Sequence, residues 1–138
     1  MSDQLVLSAL NARLDGITFT PALTKIWAGD PPANTNPPIV WPFYSDVGNV
    51  PLSTCPVQHR AERTYGVRCF VGERQGQDDL LRLKDAVSDR FFPADGTLGV
   101  LTAGSIRVQI NRKPDWRPIE PRGGLIGGTV LIRCFFII

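Results

Sequence analysis

The segment Gly127–Ile138 constrains the fold of this chain more than any other. Val130, Ile132, Cys134, Phe136 and Ile138 fall on one side of an extended backbone, and Leu131, Arg133, Phe135 and Ile137 fall on the other. Both sides are apolar apart from Arg133. A strand of that kind has no face to give to water, so it is expected at the centre of a sheet or covered on its second side. A second run, Tyr65–Val71, alternates Tyr65, Val67, Cys69 and Val71 with Gly66, Arg68 and Phe70, which is the period of a half-buried strand. Ile106, Val108 and Ile110 repeat the pattern against Arg107 and Gln109.

Two segments carry the helical period instead. Ser2–Leu14 places Leu7, Leu10 and Leu14 on one stripe, with Ser2 as N-cap, Asp3 at the positive end of the dipole and Gly16 beyond the end. Gln77–Phe92 lines Leu80, Leu83, Val87 and Phe91 on one face, has Asp78 and Asp79 in its first turn, and stops at Pro93.

Proline breaks up the rest. Gly29–Pro38 holds four prolines and reads as loop, and Ser45–Pro56, Pro93–Gly104 and Lys113–Gly124 read as irregular links. Leu23–Trp27 reads as a short strand. Ile39–Tyr44 is strongly β-prone but contains Pro42, which removes a ladder donor and places that strand at an edge. The expected architecture is one α+β domain over residues 1–138, a mainly antiparallel sheet of four to five strands with both helices packed on one face.

The composition suits a globular domain, with 43% apolar and 20% charged residues. A net charge of +2 makes no whole-molecule case for nucleic acid. No basic leader and no apolar run of membrane-spanning length is visible, so a cytoplasmic chain without a membrane partner is expected. Cys69 and Cys134 sit in strand-like runs as small hydrophobes, and Cys55 lies in a loop. Three such cysteines make neither a disulfide framework nor a zinc site.

His59 is the lone histidine and reads as a solvated or capping side chain, because no G-x-S-x-G elbow accompanies it. Asp85 and Asp89 stand at i, i+4 but off the apolar stripe of their helix, which is the place of a solvated face. Gly123-Gly124-Leu125-Ile126-Gly127-Gly128 lacks the Lys-Ser/Thr and the following helix of a phosphate loop. A strand follows, so a flexible hairpin arm or an inter-subunit loop is the reading. Arg107, Arg112, Lys113, Arg117 and Arg122 form a loose basic run broken by Asp115 and Glu120, open to either a partner protein or phosphates. Trp27, Trp41 and Trp116 lie in or beside proline-rich segments, as lids over the core or as interface anchors. No catalytic residue, metal site or cofactor is expected. The tryptophans, the paired glycines and the excess of Arg over Lys favour interaction over catalysis.

The order of these elements resembles the tail terminator family of long-tailed bacteriophages, of which the lambda protein is the familiar member. The residues that carry the resemblance are the N-terminal helix, the proline-rich loop, the apolar edge strand, the run Arg63-Thr64-Tyr65-Gly66-Val67-Arg68-Cys69-Phe70-Val71, the helix Gln77–Phe92 and the closing strands. The resemblance implies a structural virion protein, not an enzyme, assembled in the host cytoplasm. It would form a homo-hexameric ring on the head-proximal end of the tail tube, stop tube polymerisation and join the tube to the neck. Its implied partners are further copies of itself, the tail tube protein and the head-completion (stopper) protein, with genomic DNA passing through the channel without sequence-specific binding. Another neck or tail component, such as a stopper, adaptor or baseplate piece, is the alternative. Candidate subunit or partner contacts are Trp41, Pro42 and Phe43 on the edge strand, Trp116 and Arg117, and Gly123, Gly124, Gly127 and Gly128.

Overall fold

The computed structural model describes residues 2–29, 36–93 and 99–138. In chain order the elements are α1 (Ser2–Asp15), β1 (Thr24–Lys25), β2 (Ile39–Thr54), β3 (Val57–Gly72), α2 (Gly76–Phe91), β4 (Gly99–Ala103), β5 (Ile106–Ile110), β6 (Asp115–Arg122) and β7 (Leu125–Ile137). The strands run β1-β2-β3-β7-β5-β4 across one sheet, with β6 paired to β7 off that path. The sheet curls strongly into a half-barrel.

The class is α+β, but a mainly antiparallel sheet of four to five strands is not what forms. Seven strands form, and the sheet is mixed, because β1 pairs parallel to β2 through Thr24–Ile39 and Lys25–Val40. Three segments read as links are strands. Ser45–Pro56 is mostly the continuation of β2, paired with β3 as far as Thr54–Val57. Lys113–Gly124 contains β6, paired with β7 from Asp115–Leu131 to Arg122–Leu125. Pro93–Gly104 contains β4, although its residues 94–98 lie outside the described residues, as do 30–35 of the proline-rich loop.

Proline misled the sequence reading for one physical reason. Pro51 of β2, beyond the reach of β1, and Pro118 and Pro121 of β6 stand where the strand has a ladder neighbour on one side only, and such an edge tolerates a missing N–H. Pro42 obeys the same rule. It lies opposite Val67, two residues past the last residue that β1 pairs.

The core forms between the helices and one sheet face. Ala61, Tyr65, Val67, Cys69 and Val71 of β3 and Val130, Ile132, Cys134 and Phe136 of β7 are buried there with α1 and α2. On α1 the buried stripe is Val6, Leu10 and Leu14, while Leu7 packs at its margin. On α2 it is Leu80, Leu83, Val87 and Phe91. The Phe91 ring lies 5.6 Å from that of Tyr65, whose hydroxyl donates to Asn11 Oδ1 on α1 at 2.6 Å. Tyr65 thus ties both helices to the central strands. Burial raises the pKa values of Tyr65 and Cys69 and pushes the Cys134 thiol up to about 12. Both thiols therefore stay protonated at neutral pH and behave as core packing.

Replacing Phe91 with Ala is expected to lower the unfolding free energy by about 3–5 kcal/mol, because it opens a cavity beside Tyr65. Leu81→Ala, on the exposed side of the same helix, is expected to change it by less than about 0.5 kcal/mol. Urea denaturation of the two variants checks the contrast.

Candidate interaction surfaces

β2 and β3 form a hairpin longer than the sheet that supports it. The β3–β7 ladder ends at Arg60–Ile137, and the backbones of His59 and Ile138 exchange the last pair of hydrogen bonds. Beyond them the two strands pair only with each other and turn at Cys55-Pro56. The projecting tip, three residues from Leu52 to Thr54 on one strand, is roughly 10 Å long. The outer surface of the hairpin is apolar. Val47, Val50, Leu52 and Val57 are exposed, with Val57 at 69%, and Ile137 and Ile138 are exposed beside its root. Of ten exposed large hydrophobic residues among those described, these are six. Sequence reading missed this surface because it ended the strand at Tyr44.

The root of the arm is held by one buried charge. Arg63 is only 4% exposed. Its Nε donates to Asp3 Oδ1 on α1 at 2.8 Å, and its Nη1 donates to Gly48 O at 2.9 Å and Asn49 Oδ1 at 3.1 Å on β2. Asp46 lies 3.0 Å from the same Nη1. The guanidinium also stands over the Phe136 ring, at 5.6 Å from its centroid. Tyr44 donates its hydroxyl to Asp3 Oδ1 at 2.5 Å. The hydrogen bond from Arg63, followed by that from Tyr44, holds the Asp3 carboxyl below its usual range against partial burial. The same Arg63–Asp3 bond raises the guanidinium. A register shift between Asp46 and Gly48 sits at this point and leaves Val47 bulged outward.

The candidate contact residues fall into two groups. Trp41 and Phe43 lie on the sheet face away from the helices and clamp Arg68, whose guanidinium carbon is 4.0 Å from one ring centroid and 4.5 Å from the other. Pro42, between them, is buried on the helix side. Phe43 covers Gly66, where a Cβ would overlap its ring. Trp116 lies on the helix side against the core, with Lys84 over its ring and its edge on Gly128. It is therefore a lid. Gly127 is covered by Phe70 on the other face. Gly127 and Gly128 are strand residues that make room for rings, not loop residues. Gly123 and Gly124, at φ 61° and 77°, form the two-residue turn between β6 and β7. Only glycine accepts that backbone readily at both positions. Arg117 is exposed on β6, opposite Thr129.

The residues weighed for chemistry stay apart. His59 lies in the hairpin opposite Pro51. Asp85 and Asp89 are exposed on α2, with Lys84 Nζ 3.8 Å from Asp85. Among the described residues, no three His, Cys, Asp or Glu side chains gather where they could hold a metal ion. No helix among them is long and apolar enough to cross a membrane.

Neither a family model nor a curated protein matches this chain. A solved structure whose name carries no functional word aligns with 99% of this chain and 95% of its own, at 20% identity and a TM-score of 0.63. At that identity the likeness shows the fold alone.

Gly66→Val forces the Phe43 ring off the sheet and is expected to lower stability by about 1–3 kcal/mol, with much of the loss restored by Phe43→Ala in the same chain. Thermal unfolding of both variants reads this. Asp3 has an ordinary value of 3.8 and a lower one in the fold. Its contribution is therefore present above the unfolded-state value and is lost as pH falls through the folded-state value. Asp3→Asn is expected to remove about 1 kcal/mol at pH 7, screened because the carboxylate is half exposed, and to flatten the acid limb of a stability–pH curve.

Proposed function

We propose that this chain is a structural virion protein that works by contact rather than catalysis, a tail terminator of a long-tailed phage. In this reading, copies of the chain close into a ring of six on the head-proximal end of the tail tube, stop its growth and offer a surface to the head-completion protein. The observation that supports the reading is the β2–β3 hairpin, which exposes Val47 and Val50 on its root and carries exposed Leu52 and Val57 past the end of the sheet that supports it. An apolar two-stranded arm with an open edge gains little by standing in water, and it matches a neighbour that adds to its edge or covers its side chains. A contact between an arm on one subunit and a different surface on the next is heterologous, and repetition of such a contact closes into a ring when the rotation allows.

Light scattering and native mass spectrometry are expected to give a closed oligomer, and negative-stain images with purified tail tubes are expected to show rings on one tube end. Leu52→Lys with Val57→Lys is expected to shift the mass toward the monomer while leaving the unfolding midpoint within a few degrees, because both residues are exposed. A wild-type protein that stays monomeric at high concentration and never caps a tube overturns the reading.

A further inference from the structure

The strand alternation that sends Tyr65, Val67 and Cys69 into the core sends a different set of residues to the other face of the sheet. Arg60 and Arg68 on β3, Arg133 on β7, Arg117 on β6 and Arg107 on β5 all point to that side by register, and Arg112 joins them through Asp115. Among the described residues, Glu62 and Asp115 are the acids placed there. The face thus carries six basic residues against two acidic ones, in a chain of 15 basic and 13 acidic residues. The small net charge of the molecule therefore conceals a strongly positive face.

Within it, Trp41, Arg68, Thr129 and Arg117 form one row across β2, β3, β7 and β6. Arg68 is fixed between Trp41 and Phe43, and among the described residues no carboxylate forms an ion pair with Arg68, Arg107 or Arg117. A guanidinium held against two rings, with no carboxylate on it, keeps donors for a ligand and loses little freedom on binding. We infer that this sheet face binds the phosphate backbone of duplex nucleic acid without reading its sequence.

Spacing favours an extended polyanion over a small phosphate. Arg68 and Arg117 are two strands apart, roughly 10 Å, and Arg60 lies eight residues from Arg68 on one strand, roughly 26 Å, so a single small anion can reach the Arg68–Arg117 pair but not the whole set. A duplex carries a charge every ~1.7 Å of its axis and offers phosphates along the whole length of such a set. A second copy of the chain is a poorer fit. The acids of α2 are already balanced, since that helix holds four acids and three bases, with Asp79 paired to Arg82 and Asp85 near Lys84. The inference rests on the charge distribution and not on ring assembly, because a single subunit presents the whole face.

The test is fluorescence anisotropy with a labelled duplex of roughly 30 base pairs across a potassium chloride series, with solution mass followed in parallel. The wild type is expected to bind at low salt with no preference between two unrelated sequences. Arg68→Gln with Arg117→Gln is expected to weaken binding about tenfold or more and to make the log–log salt slope shallower by about 2. Arg82→Gln with Arg90→Gln, on α2, is expected to leave both unchanged. Arg107→Gln alone, expected to change the slope by about 1, decides the matter if loss of the stacked Arg68 unsettles the sheet. No binding by the wild type, or equal loss in the helix-side pair, overturns the inference. So does a sheet-face variant that alters the mass but keeps full DNA affinity, which assigns the face to a second copy. A wild type that binds DNA as a monomer upholds it while overturning the ring reading.

Discussion

The Arg63–Asp3 pair is the interaction on which the rest of the structure depends. Arg63 faces the core side of β3, where Ala61 and Tyr65 on either side are fully buried, and a charge in that position is costly unless its donors are used. They are used, by three elements at once. Asp3 brings the first turn of α1, the carbonyl of Gly48 and the side chains of Asn49 and Asp46 bring the bulged part of β2, and Phe136 brings the ring of a central strand. The place where the hairpin leaves the sheet is thus also the place where the N-terminal helix is fixed. A purely apolar residue could fill the volume, but it could not specify where β2 bulges. Contacts to Asp46 on one side of the register shift and to Gly48 and Asn49 on the other do that.

The register so fixed sets the character of both faces. With a side-chain period of two, the frame that buries Tyr65, Val67 and Cys69 must present Glu62, Thr64, Gly66, Arg68 and Phe70 on the other side. A slip of one residue would put Arg68 in the core and Tyr65 in water. The aromatic-on-glycine contacts act in the same direction. Phe43 fits only where Gly66 faces it, Phe70 only where Gly127 does, and Trp116 only against Gly128. Each lies between different strand neighbours, so the three together pin β2, β3, β7 and β6 to one alignment, as cross-strand aromatic–glycine pairs do in curved sheets.

The parts of this fold legible in the sequence are those where one residue pattern serves one purpose. Helix α2, the alternation of β3 and the two-sided apolar run of β7 were readable because burial alone selects them. What was not legible were strands that bury little. β6 is an edge strand, so Pro118 and Pro121 argued against it while costing it little. The counter-signal was present in Gly123-Gly124, a two-residue glycine pair between β-prone segments, which favours a tight hairpin. The outer half of β2 was lost for a related reason. Val47, Val50 and Leu52 face solvent, so no alternation of buried and exposed residues marks the strand. The basic face was hidden differently. Its arginines are scattered over four strands and more than 70 positions, and only strand order brings them together.

The two surfaces differ in what they ask of a partner, and the difference follows from their construction. The arm has backbone groups and apolar side chains but little supporting structure behind it, so its conformation can adapt to whatever covers it, and the energy of contact comes from burial. The arginine face lies on the strands that carry the core on their other side, so its charges keep fixed positions before anything binds. Preorganised charge suits a ligand of regular repeat, whereas a pliable apolar arm suits a surface of particular shape. Arg63 stands between them. It belongs by register to the core face, yet its bonds hold the root of the arm, so a change there would disturb the apolar surface first. The basic face, anchored through β3 and β7 farther along the sheet, would follow only if the register itself gave way.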